Sequence, residues 1–209
     1  MTTVERNSCG DRKCWPPMMG DAGDDGRRRV NGMGKRKGEV YGRGAFQLYG
    51  SERQVRMSDL LCDVFGRDDI TCYAGDWRGI LYFTLDEEPD VAPDQVFGFD
   101  PSTGDSGELA TLPELMASID RGDITDAVDG EAFSAWLAET GHREIPMGTC
   151  APTVELEFIG GSADERVTEP RDVVTHVALA AVIMGRLEAL EVQPGDPIPD
   201  ELFDQARWE

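Results

Sequence analysis

Ile70-Thr71-Cys72-Tyr73-Ala74-Gly75-Asp76-Trp77-Arg78-Gly79-Ile80-Leu81-Tyr82-Phe83-Thr84-Leu85 is the stretch on which the fold turns. Ile70–Ala74 is short and apolar, and Ile80–Leu85 is rich in β-branched and aromatic residues. Such side chains suit a pleated, half-buried surface. Asp76-Trp77-Arg78-Gly79 supplies turn chemistry between them, so two strands joined by a turn are expected.

Upstream, Ala45-Phe46-Gln47-Leu48-Tyr49 reads as a strand closed by Gly50. Ser58 is placed to cap a short helix burying Leu60, Leu61, Val64 and Phe65, with Asp59 suiting the helix dipole and Gly66 ending it. Downstream, the acidic segment Asp86–Asp94 carries two prolines and reads as a solvated connection. Gln95–Asp100 is the next strand, Pro101-Ser102-Thr103-Gly104 a turn, and Glu108–Ala110 a returning partner. Thr111 with Glu114 three residues later has the spacing of a capping box, and Pro113 suits a helix start. Leu112, Leu115, Met116 and Ile119 form that helix's apolar stripe. A helix over about 131–139 is expected to bury Phe133, Trp136 and Leu137. Thr153–Ile159 alternates like a strand, with Val154, Leu156 and Phe158 on one face and Gly160-Gly161 as its stop. The longest helix is expected over about 170–190, nearly all apolar and therefore deeply buried. Pro194, Pro197 and Pro199 forbid its continuation.

The 209 residues suffice for one substantial domain, or one domain with a small appendage. No run of eighteen apolar residues occurs, so no transmembrane helix is expected. Residues 1–38 lack apolar periodicity and an apolar signal region, and read as a disordered basic, Gly-rich arm in which Met33 is an alternative start. A nucleic-acid-binding role for that arm rests only on short basic tracts. The five cysteines (Cys9, Cys14, Cys62, Cys72, Cys150) form no regular framework, which suits reduced thiols in a cytosolic protein.

Charge is unevenly divided. Net charge is −21, yet residues 1–40 hold nine Lys/Arg against six Asp/Glu. That is +3, so the remainder carries −24. Such a surface repels nucleic acid and anionic lipid and attracts basic proteins. Solubility, or adaptation to a salty cytoplasm, is the competing account of the same charge.

Several chemistries fail on spacing. Gly104-Asp105-Ser106-Gly107 is similar to a serine-nucleophile loop, but Glu108 follows it and both histidines, His142 and His176, lie downstream. Glycines 32, 34 and 38 make no dinucleotide fingerprint. Cys9 and Cys14 lack a second ligand pair, and Asp123, Asp126 and Asp129 stand three apart where a calcium loop needs alternate acids. No catalytic residue, metal or cofactor is therefore expected.

Tyr41-Gly42-Arg43-Gly44-Ala45-Phe46-Gln47-Leu48-Tyr49-Gly50 resembles the opening strand of SMI1/KNR4-like (SUKH) proteins. Tyr73–Tyr82 is similar to that family's central hairpin, Val96–Gly104 to the strand and turn after it, and Thr111–Ile119 to the closing helix. The resemblance covers 41–121, leaving 122–209 as an extension packed on this core. It implies an α+β fold with a central, mostly antiparallel sheet flanked by helices. It also implies a non-enzymatic, cytoplasmic protein-binding role. Bacterial members are regarded as immunity proteins that neutralise toxins, and fungal members as regulatory scaffolds. The partner so implied is a basic toxin domain, for instance a nuclease, and neither a nucleic acid nor a membrane.

The residues expected to meet such a partner are Asp86, Glu87, Glu88, Asp90 and Asp94 in the acidic loop, with Asp68, Asp69, Asp76 and Trp77 near it across the hairpin ends. Trp77 has two readings, an aromatic interface anchor or a core side chain. The loop has two as well, a grip or a solvated connection.

Overall fold

The central hairpin forms, and a bulge makes it serve two cores. β3 (Ile70–Asp76) pairs antiparallel with β4 (Leu81–Leu85), from Ile70↔Leu85 to Gly75↔Leu81. The register shifts between Cys72 and Ala74. One extra residue reverses which face the following side chains meet. Cys72 accordingly packs with Leu81 and Phe83, while Ala74 packs with Phe46 and Tyr82 on the other side.

The computed structural model describes residues 37–86, 88, 91–92, 94–193 and 195–204. Around the hairpin lie β1 (Glu39–Tyr41), β2 (Phe46–Leu48), β5 (Gln95–Phe99) and β6 (Ser106–Thr111). The six strands form one antiparallel sheet in sequence order, β1 to β6. α1 (Ser51–Phe65) and α5 (Val173–Ala189) cover one face, burying Met57, Leu61, Val173 and Val177 against Leu81, Phe83 and Phe99. α2 (Leu112–Arg121), α3 (Ile124–Ala127) and α4 (Gly130–Thr140) cover the other, where Leu115, Ile119, Phe133 and Trp136 meet Phe46, Tyr82 and Val96. The fold is α+β, a central antiparallel sheet flanked by helices. Residues after 121 contribute to both cores, through Phe133, Trp136 and Val167 on one face and Cys150 and Val177 on the other.

Two elements differ from the sequence expectation. α1 begins at Ser51, and Ser58 lies inside it. Ser58 Oγ accepts a hydrogen bond of 2.9 Å from the Cys72 N–H, tying helix to sheet. Met57, not Leu60, is the buried residue of that turn. Thr153–Ile159 is no strand, because its pairing with residues 165–167 stops after Val154, whose N–H donates to the Glu165 carbonyl at 2.8 Å. Thr153 forms one bridge to Arg166, and a 3₁₀ turn follows at Glu157–Ile159. Thr149–Cys150 (β7) instead pairs with Arg171–Asp172 (β8). After α5 the chain returns at Asp200–Phe203 to bury Leu202 against Ala180 and Ile183. The arm expected over 1–38, with Cys9 and Cys14, lies outside the described residues save for 37 and 38.

Candidate functional site

The expected partner-binding acids separate to opposite ends of the sheet. Because Ile70 pairs with Leu85, the loop before β3 and the loop after β4 meet at one end. The Asp86 N–H donates to the Asp69 carbonyl at 2.9 Å. Asp68 and Asp86 are exposed there, and Asp94 lies at the start of β5 at the same end. The C-terminus of α1, capped by Gly66, points its negative dipole end at this cluster. Asp69 is different. It is buried and gripped by Arg67, with both N–H···O distances 2.7 Å, and Arg67 reaches Glu88 at 3.0 Å. Hydrogen bonding to Asp69 pushes the Arg67 guanidinium up. Asp69 thus anchors the loop, and Asp68, Asp86 and Glu88 remain at the surface. Glu87 and Asp90 lie outside the described residues.

Asp76 and Trp77 sit at the far end of β3 and do not join the acidic loop. Asp76 is 2% exposed and Trp77 1%. The burial of each has a physical cause. The Asp76 carboxylate folds back on its own turn and accepts from the Arg78 N–H (2.9 Å), the Ile80 N–H (3.1 Å), Arg78 Nη2 (2.6 Å) and the Tyr82 hydroxyl (3.3 Å). Burial pushes its pKa up, and the Arg78 charge opposes that shift. Trp77 packs on Phe133, donates from Nε1 to the Val128 carbonyl at 2.8 Å, and carries the Arg166 guanidinium 4.7 Å above its ring. It is a core residue and offers no surface to a partner.

Beside this turn lies a feature that no sequence motif marks. A groove of about 520 Å³ opens between the β4–β6 face and helices α2 and α3. Tyr82, Val96, Leu109, Leu115, Ile124 and Val128 line it, with Arg78, Asp100 and Asp105 at one end. Gly98 faces Gly107 across β5–β6, and the absence of a side chain at Gly98 makes room for Leu109 to lie over it. Two strand glycines opposite one another are the only local trace of the groove in the sequence.

One buried pair has the residue types of nucleophilic catalysis. Cys150 and His176 converge on Gly79, where an added Cβ would lie 3.2 Å from Cys150 Sγ and 3.0 Å from His176 Cδ2. The pair is tuned against that chemistry. Burial pushes the Cys150 thiol up and the His176 imidazole down to about 4, whereas an activated pair needs the reverse. His176 Nε2 has no hydrogen-bond partner. Among the described residues no group of three or more His, Cys, Asp or Glu side chains is placed to hold a metal ion. Asp129, one of the spaced acids, caps α4 through the Ala132 N–H. No helix among the described residues is long and apolar enough to cross a membrane. Set against known protein families, curated proteins and solved structures, the chain matches none.

Proposed function

We propose that this chain is a non-enzymatic, acidic protein-binding domain of the SMI1/KNR4 type, acting in the cytoplasm as an immunity protein that neutralises a basic toxin. The observation that carries the reading is the convergence of Asp68, Asp86 and Glu88 on one sheet end, beside the C-terminus of α1. Arg67, itself gripped by Asp69, holds Glu88 at 3.0 Å, and the Thr71 hydroxyl reaches Asp86 at 3.4 Å, so two of the three carboxylates are tethered and need less ordering on binding. A net charge of −21 adds long-range attraction for a cationic partner and raises the association rate.

The test is calorimetric titration of the full chain with basic nuclease toxin domains, repeated for D86K/E88K. Tight binding that weakens at least tenfold in the double variant, mostly through slower association, is the expected result. A complex indifferent to both substitutions and to salt would sink the assignment of this surface.

A further inference from the structure

We propose that the β6 edge and the apolar groove beside it form a second docking surface, which takes an extended, lysine-rich segment of a basic protein by strand addition. The inference keeps the basic partner of the proposed function and assigns it a different grip.

Three observations converge on it. β6 is the longer of the two sheet edges, six residues against three in β1, and among the described residues no strand pairs with its outer side. Ser106, Gly107, Glu108 and Leu109 are all exposed, so no described residue covers the edge. An exposed edge presents unpaired N–H and C=O groups to any extended chain. Lysine and proline, which blunt many edges, are absent from Ser106–Thr111, and the blunting devices present are the bulge and the Glu108 charge, the latter directed against anionic strands.

The bulge in this strand also serves the surface. Val96 pairs with Ala110 and Phe97 with Glu108, which leaves Leu109 as the extra residue. Its side chain lies over Gly98, where an added Cβ would meet Leu109 Cδ1 at 2.7 Å, yet Leu109 remains 56% exposed. An incoming strand would find backbone partners along β6, with an apolar slot of about 520 Å³ beside it for one or two side chains.

Charge selects the occupant. Arg78 at the groove's end is neutralised by Asp76 at 2.6 Å, which leaves Asp100 and Asp105 there and Glu108 on the strand. A second copy of the chain would bring another −21 to this edge. A strand alternating apolar and cationic residues satisfies both the slot and the acids.

The probe is a nine-residue peptide alternating lysine and valine, compared with lysine–serine and glutamate–valine peptides, titrated into the isotopically labelled full chain. The expected result is binding of the lysine–valine peptide alone, moving the amides of 106–111 and the methyl signals of Leu109, Leu115 and Val128. Gly107→Leu fills the slot where an added Cβ meets nothing within 4 Å, and should weaken binding tenfold or more with the melting temperature kept. Should that variant fail to fold, Leu109→Lys at the exposed rim serves instead and should weaken binding similarly. Equal binding of the lysine–serine peptide would overturn the proposal, as would a dimer through β6 that either variant dissolves. Shifts confined to Asp68, Asp86 and Glu88 would overturn it while leaving the basic-partner reading intact. No binding of any cationic peptide would overturn it as well, whereas the basic-toxin reading fails only if the toxin domains themselves do not bind.

Discussion

At Asp76, donors from the chain itself converge on one buried carboxylate. Removing a partner from a buried ion pair leaves an uncompensated charge, here softened because the Arg78 side chain is 24% exposed. Asp76→Ala should therefore cost about 2–4 kcal/mol in urea unfolding. A loss under about 1 kcal/mol would show that water replaces the carboxylate adequately. His176 yields a pH prediction. Its folded pKa, about 4, lies below the ordinary 6.5, because burial and the Arg171 and Arg166 charges disfavour the imidazolium. Both states are neutral above pH about 6.5, and the unfolded chain alone takes up the proton as pH falls towards about 4. Stability should thus drop across that window, by a ceiling of about 3 kcal/mol. Comparing His176→Leu with the native chain at pH 7 and pH 4.5 isolates it, and parallel curves would refute it. Neither role was legible in the sequence. Asp76 looked like an acid in an exposed turn, because no local pattern discloses that α4 and Val167 will close over its neighbour Trp77.

Elements were most legible where their ends carry chemistry of their own. The Thr111–Glu114 capping box forms as its spacing requires, and Gly122 closes the same helix in the left-handed conformation. Thr111→Ala should cost about 1 kcal/mol in thermal or urea unfolding, and an unchanged midpoint would mean that Leu112 packing alone holds the helix start. The β3–β4 turn depends on Gly79, whose φ is +99° and where an added Cβ would crowd His176 Cδ2 at 3.0 Å and Cys150 Sγ at 3.2 Å. Gly79→Ala therefore meets both backbone strain and a steric wall, and should cost more than about 1 kcal/mol. A native-like melting temperature would contradict that. Glu52, Arg53 and Gln54 in the first turns of α1 conceal its helical face from the sequence pattern. Alternation over Thr153–Ile159 overstates the strand, because pairing with residues 165–167 stops after Val154 and the chain turns at Glu157.

For the whole molecule, charge is the dominant long-range term. All three lysines lie within the first 37 residues, so beyond Lys37 the cations facing many carboxylates are arginines. Several are already committed, Arg67 to Asp69 and Arg78 to Asp76. Unbalanced carboxylates repel one another across the folded surface and are screened by salt. Raising sodium chloride from about 20 to about 500 mM should raise the melting temperature by several degrees. Choline chloride should act alike, which separates screening from specific ion binding. A flat response would mean that the acids are spaced widely enough to ignore one another.

The sequence by itself determined the strands on either side of Asp76–Gly79, the capped helix after Thr111, the long apolar helix ending before Pro194 and the acidity of the chain beyond residue 40, but not the burial of that helix, where Leu179 and Val182 stay half exposed. These follow from periodicity, turn chemistry and composition, which act over a few residues. Only the tertiary structure decided which acids share a surface, that Trp77 belongs to the core, and that a groove opens beside β6. Those depend on strand register and on which helix covers which face, and both are set by contacts between residues far apart in the chain.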